Sequence, residues 1–264
     1  MKKKQSAARR NPSPLSYVER TYRHLVETGP LISSYVRIEE TDLHIMAEVD
    51  VSEEARELVL MYRHILEGYI RRYPDFLTSL VPLFDDPCAH PLIREMLQAG
   101  IAADVGPMAA VAGAIAEYVT KGLQDRKVHE IIVENGGDIY LSRTSDCMVE
   151  IFAGSSPLSR TIGVRLPAES MPCSVCTSSG TIGHSLSFGT ADAVTVVATN
   201  AALADAVATR IGNEVGERRG SDYGIGKALE LAQEVPGISG AVIVCRKVFG
   251  AMGTIELVQL KPKG

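Results

Sequence analysis

Residues 193–199 read Ala-Val-Thr-Val-Val-Ala-Thr, and residues 201–215, after Asn200, read Ala-Ala-Leu-Ala-Asp-Ala-Val-Ala-Thr-Arg-Ile-Gly-Asn-Glu-Val. The first run is β-branched and of strand length, and the second is alanine-rich and of helical length, so a strand leads directly into a helix. Working outward, Ser34 to Ile38 and Leu43 to Val49 read as a β-hairpin. A helix is expected from Ser52 to Pro74, with Leu58, Met61, Tyr62, Ile65, Leu66, Tyr69 and Ile70 as its apolar stripe. A proline-rich loop (Pro82 to Pro91), a short helix from Pro91 to about Gly100 and a long helix from Gly106 to Gly122 follow. Strands are expected at Glu130 to Glu134, from Ile139, at Cys147 to Ala153 and at Ile162 to Leu166. A helix at Ile225 to Glu234 and a closing strand pair, Ala241 to Cys245 with Thr254 to Leu260, complete the chain. Pro167 to Thr190 carries no convincing regular pattern and reads as a long functional loop. Strands grouped beside helices indicate an α+β fold of antiparallel sheet with helices packed on one face.

The composition sets bounds on function. The 264 residues are 45% hydrophobic and 22% charged, enough for a sizeable core without staples. The net charge is −5, and five of the basic residues lie in the first ten, so the remainder is more acidic still. Such a body repels a phosphate backbone, and no nucleic-acid role is expected. Residues 1–14 read as a disordered basic arm. No apolar run reaches the roughly 18–20 residues needed to span a bilayer, and no secretory pattern opens the chain, so a cytoplasmic protein with no membrane partner is expected. Five scattered cysteines, Cys88, Cys147, Cys173, Cys176 and Cys245, do not form a disulfide framework.

Four segments could carry chemistry. Asp104 to Val111 opens a helix with Gly106 and Pro107, where free N–H groups attract phosphate. The helix that follows is rich in Ala and Gly, so a sheet or a ligand must approach it closely; a subunit contact would use the same surface. Glu134-Asn-Gly-Gly-Asp138 is a tight turn whose bare backbone could cradle a ligand. Cys173 to Ser185 is rich in hydroxyl and glycine, which suits phosphate or sugar but equally a plain solvent-facing turn. Asp205 and Thr209 lie one helical turn apart, as oxygen ligands of Mg²⁺ or as an ordinary surface pair. Read as surface-facing, Asp205 should be removable with little loss of stability.

Asp104-Val-Gly-Pro-Met-Ala-Ala-Val111, Val133-Glu-Asn-Gly-Gly-Asp-Ile139, Thr177-Ser-Ser-Gly180, Val194-Thr-Val-Val-Ala198 and Ala204-Asp-Ala-Val-Ala-Thr209 occur in an order that resembles the ApbE superfamily of FAD:protein FMN transferases. With Gly183-His-Ser-Leu-Ser-Phe-Gly189, the chain looks like a separate branch of ApbE-like proteins. The resemblance implies one domain over 15–264, built from two T-fold-like halves at about 30–153 and 154–264. It implies Mg²⁺ held by the Asp205 and Thr209 side chains and the Ala109 carbonyl. It implies FAD or FMN lying against Gly106, Ala109, Asn135, Gly136, Gly137, Asp138, Ser178, Ser179, Gly180 and Thr181, with His184 and Asp205 as catalytic groups. The expected partners are a nucleotide ligand and a flavoprotein acceptor, and a homodimer is the expected assembly.

The departures are specific. Ala110 stands where the family has a lysine and Pro107 where it has a glycine. The family's Asp-Pro-x-Thr-Gly after the histidine and its N-terminal Met-Gly-Thr have no counterpart. The expected activity is therefore either flavin transfer or nucleotide pyrophosphatase chemistry. The alternatives are a non-catalytic flavin- or nucleotide-binding module, or a metal or redox protein built on the Cys173-x-x-Cys176 pair.

Overall fold

The computed structural model describes residues 31–180, 189–216 and 224–260. The basic arm expected at 1–14 lies outside them. The first hairpin is β1 (Ile32–Ile38) and β2 (Thr41–Ala47). Helix α1 (Ser52–Arg72) has Glu53 and Glu54 in its first turn and stops just before Pro74, where a ring without an N–H ends the ladder. Its buried face includes Leu58, Tyr62 and Leu66, whereas Met61 is exposed. A single turn, α2 (Asp75–Thr78), precedes the irregular stretch that leads to α3 (Pro91–Ala103). His90 caps α3 by accepting the Leu92 N–H at 3.2 Å.

The helix expected from Gly106 is divided. A 3-10 turn over Pro107–Ala110 leads into α4 (Val111–Asp125). Both the sheet and neighbouring helices approach its small residues. A Cβ on Gly113 would lie 2.3 Å from the Ala201 carbonyl oxygen, and one on Gly122 would lie 2.5 Å from Leu58. Because α4 is buried from Gly113 to Leu123 except at Lys121, it offers no subunit surface.

The remaining strands are β3 (Ile131–Asn135), β4 (Asp138–Ser142), β5 (Cys147–Glu150), β6 (Ile162–Leu166), β7 (Cys173–Ser178), β8 (Ala193–Ala198), β9 (Ile238–Cys245), β10 (Val248–Gly253) and β11 (Glu256–Gln259). The remaining helices are α5 (Ala201–Glu214) and α6 (Ile225–Glu234). Eight strands form one antiparallel sheet in the order β1-β2-β3-β4-β7-β8-β9-β10, and β11-β6-β5 form a smaller one. The fold is thus α+β, with the order strand, strand, helices, strand, strand occurring twice along the large sheet. Its helices cover one face, where Leu43, Ile45, Val133, Val194 and Val196 meet α1 and α3 to α6. The other face buries Ile132, Leu141, Val175, Val197 and Val242 against the small sheet.

Three expectations are corrected. The strands that open the second set are β7 and β8, while β5 and β6 leave for the small sheet. The closing pair is β9 with β10; β11 pairs with β6 instead. The long loop contains a central strand, β7. Its small polar residues look loop-like, yet Ser174 and Thr177 are satisfied within the sheet. Ser174 Oγ donates to the Ala198 carbonyl at 2.9 Å, and the Thr177 and Thr195 hydroxyls pair at 3.0 Å. Burial with every hydroxyl bonded costs little, so hydrophilic composition does not exclude a core strand.

Candidate functional site

The β3–β4 hairpin turns on Gly136 and Gly137, whose φ angles of 73° and 108° only glycine adopts freely. That turn is tied to the start of α4, because Asn135 Nδ2 donates to the Ala112 carbonyl at 3.1 Å. Asp138, the residue after it, accepts the Thr177 N–H of β7 at 3.1 Å. Cys176, one residue earlier, reaches the Ala201 carbonyl at the head of α5 with its thiol, at 3.5 Å. One turn further along α5, Asp205 Oδ2 accepts the Gly113 N–H at 3.0 Å. The glycine turn, the end of β7 and the starts of α4 and α5 therefore meet in one place.

Asp205 is only 9% exposed. The expectation of a surface-facing carboxylate is corrected: it caps the N-terminus of α4, whose unsatisfied amides and positive dipole end attract it. Thr209 and Ala109 are half-buried. Asp138 is 7% exposed. Its carboxyl is held well above the usual carboxylate range, first by burial and then by the charge of Asp205, against the pull of the Thr177 amide and Cys176 thiol. Burial pushes Asp205 up to about 7, although the Gly113 and Ala112 amides lower it. Among the described residues neither carboxylate has a basic partner within ion-pair distance.

A hard divalent cation fits this donor set. The candidate ligands are one carboxylate, one hydroxyl and one carbonyl, all oxygen, beside the second buried carboxyl, Asp138. The two Gly113 and Ala112 N–H bonds leave lone-pair capacity on the Asp205 carboxylate.

A pH dependence follows. A carboxyl whose pKa is higher folded than unfolded makes the native state bind the proton more tightly. Its stabilising share is full below the unfolded value, about 4, and is lost as pH rises to about 7. Asp138 acts in the same direction. In chelator, the Tm should fall between pH 5 and 7.5, and Asp205→Asn should flatten the slope. A scan giving the same slope for both proteins would contradict this.

Ser178 ends β7 on the same strand face as Cys176; it is buried, and its hydroxyl has no hydrogen-bond partner among the described residues. Ser179 and Gly180 continue the strand's exit, and the Gly180 N–H bonds the Ala191 carbonyl at 3.0 Å. Gly106 is buried against Ser79: a Cβ there would fall 1.8 Å from the Ser79 carbonyl oxygen. His184 and Thr181 lie outside the described residues.

The Cys-x-x-Cys reading is corrected. Three residues along a strand reverse the face, so Cys173 packs toward the small sheet and Cys176 under the helices. Two thiols on opposite faces cannot share a metal or close a disulfide. Burial also pushes the Cys173 thiol up to about 12, away from reactive thiolate.

Glu117 was not singled out in the sequence. Only 3% exposed, it accepts the Ala201 N–H of α5 through Oε2 at 2.7 Å. Its signal is a matching interval: Gly113 to Glu117 and Ala201 to Asp205 are both four residues.

Two antiparallel sheets with one helical layer make an α+β fold of the kind that ApbE proteins have. The family model described as "AbpE bacteria" matches residues 23–253, and the chain belongs to that family. The UPF0280 protein of Methanococcus aeolicus is 42% identical over 229 residues, covering 85% of this chain and 91% of the relative. The UPF0280 protein of Methanocaldococcus jannaschii is 43% identical, covering 84% and 92%. Among solved structures, the flavin transferase ApbE from Vibrio cholerae aligns with a TM-score of 0.51 at 12% identity, over 84% of this chain and 97% of that one. The apo flavinyl transferase ApbE of Pseudomonas stutzeri aligns with a TM-score of 0.51 at 14% identity, over 84% and 93%. At such identity the likeness is one of fold. Among the described residues no single helix is long and apolar enough to cross a membrane.

Proposed function

We propose that the protein binds a phosphorylated ligand, a flavin nucleotide such as FAD or FMN, together with Mg²⁺ where the β3–β4 turn meets the starts of α4 and α5. The observation that carries the reading is the buried Asp138–Asp205 pair, which has no basic partner among the described residues and stands beside the positive-φ turn of Gly136 and Gly137. Asp205, Thr209 and the Ala109 carbonyl would hold the cation, which when bound neutralises pyrophosphate charge and stabilises the departing phosphate.

The chain's own residues do the rest. Gly106, Asn135, Gly136, Gly137 and Asp138 line the approach, and Ser178, Ser179, Gly180 and Thr181 supply hydroxyl and amide contacts. Asp205 supplies the negative charge that attracts the cation, Asp138 holds the end of β7 through the Thr177 amide, and His184 moves a proton to or from the reacting oxygen. The reaction is attack of a hydroxyl, of a flavoprotein acceptor or of water, on the FMN phosphorus of FAD with AMP leaving; the likeness in fold to the flavin transferases of Vibrio and Pseudomonas supports it. We take the protein to act in the cytoplasm as a homodimer.

One observation favours a non-catalytic binding module. Ala110 is fully buried where the family carries a lysine, which removes a cation from the phosphate site. Calorimetry with FAD and ADP, with and without Mg²⁺, followed by assay for AMP and FMN, separates the readings. Mg²⁺-dependent binding with product release supports the enzyme. Binding without release supports the module, and no Mg²⁺ dependence defeats both.

A further inference from the structure

The last turns of α1 and the chain from Asp86 to Ile93 border a cavity of about 340 Å³, at the small end of the range for ligand pockets. It shares no residue with the site at the β3–β4 turn. One wall is backbone. Gly68 lies inside α1, and a Cβ built there would meet nothing nearer than the tip of Arg71, at 3.8 Å. Glycine within a helix costs stability, and no close neighbour requires it here, unlike Gly113 and Gly122. Because Gly68 is part of the lining, the space it leaves belongs to the cavity. The other apolar walls are Ile65, Ile93 and the rings of Tyr69 and Tyr73, whose centroids lie 4.8 Å apart.

Two opposite charges border this space without meeting. The Arg72 guanidinium lies 5.4 Å from the Tyr73 ring centroid and has no carboxylate within ion-pair distance among the described residues. Asp86 accepts the Cys88 N–H at 3.0 Å on one oxygen and the Tyr69 hydroxyl at 3.1 Å on the other, and no basic group pairs with it there. Each oxygen keeps a lone pair. Burial and the bond to Asp86 push the Tyr69 hydroxyl up to about 12 while Arg72 pulls against them, so both charges are felt at one hydroxyl. His90 also lines the cavity. Its Nδ1 is occupied by the Leu92 N–H, so in the neutral ring Nε2 carries the proton and can only donate. A simple anion or a simple cation would leave one of the two charges without a counterpart. A zwitterion with an apolar body leaves neither.

We propose that this cavity is a binding site for a free α-amino acid with an apolar side chain. The carboxylate lies on Arg72 and His90, the ammonium on Asp86, and the side chain in the recess at Gly68. The proposal stands apart from the flavin-nucleotide reading and does not depend on it.

Cys88 reports occupancy, because it is exposed on the cavity lining and the other four cysteines are buried. Saturating L-leucine or L-phenylalanine is expected to slow alkylation of Cys88 in the full chain, and calorimetry should show the matching binding. Isocaproate, which is leucine without its ammonium, and isoamylamine, which is leucine without its carboxylate, should each bind about tenfold more weakly than L-leucine, the loss of one charge-assisted bond. Arg72→Gln and Asp86→Asn should each weaken L-leucine to a similar degree. Gly68→Ala separates binding from folding: it should raise the Tm, since nothing opposes the new Cβ, and yet weaken L-leucine by filling the recess. Equal binding of L-leucine and isocaproate would make this a site for simple anions and overturn the proposal. Undiminished alkylation of Cys88 with both amino acids would overturn it too, as would full L-leucine affinity in Gly68→Ala.

Discussion

Asp205→Ala is expected to lower stability by about 2–3 kcal/mol, the cost of stranding the buried amides that the carboxylate caps. For a domain of this size that is roughly 5–10 °C in Tm. The same substitution should abolish Mg²⁺-dependent ligand binding. Asp205 Oδ2 takes the Gly113 N–H inside the α4–α5 interface, at 9% exposure, so alanine leaves a donor with no acceptor. Asp205→Asn separates the two roles. Its amide oxygen still accepts from Gly113, so most of the Tm should return. It carries no charge, so cation binding should not return. Thermal melts and Mg²⁺ titrations of both variants check this. Equal Tm values for Asp205→Ala and wild type would remove the capping role, and full Mg²⁺ affinity in Asp205→Asn would remove the ligand role.

The second large effect is at Gly113. A Cβ there would lie 2.3 Å from the Ala201 carbonyl oxygen, 2.9 Å from its carbon and 3.0 Å from Asp205 Cβ. Two of these are backbone atoms at the head of a helix, which cannot rotate away. Gly113→Ala must therefore push α4 and α5 apart, breaking both cross-caps and moving Asp205. The expected cost is about 2–4 kcal/mol, the overpacking term plus weakened hydrogen bonds. It outweighs the helix-propensity gain of up to about 1 kcal/mol. Gly226, in the first turn of α6 with nothing within 4 Å of its Cβ position, is the control. Gly226→Ala should be neutral or slightly stabilising. If Gly113→Ala melts like Gly226→Ala, the close approach of the two helices is wrong.

The residues that could be read in advance were those with periodic or conformational signatures. The α1 stripe, the Asn135 to Asp138 turn, Pro74 as a stop and the strand-to-helix passage at Asn200 each follow from local physics, and the structure has them. The misread elements are those decided by distant partners. β7 is a strand because Ser174 and Thr177 find acceptors on β8, and nothing within Cys173 to Ser178 announces that. β11 pairs with β6 rather than β9 because the chain crosses to the other face of the sheet after Gly253, whose φ of 92° turns it. The four-residue interval between Asp205 and Thr209 was legible, but its burial was not. That depends on Gly113, 92 positions earlier, having no side chain. Likewise, the opposite facing of Cys173 and Cys176 follows at once from strand geometry, yet only once the segment is known to be a strand.

The most direct measurement is anomalous diffraction from crystals grown with Mn²⁺ and ADP or FAD. A Mn²⁺ peak bridging the Asp205 carboxylate and the ligand phosphate, with Thr209 and the Ala109 carbonyl around it, is the expected result. Ligand phosphate bound elsewhere, with Asp205 still bonded only to the amides at the start of α4, would contradict it.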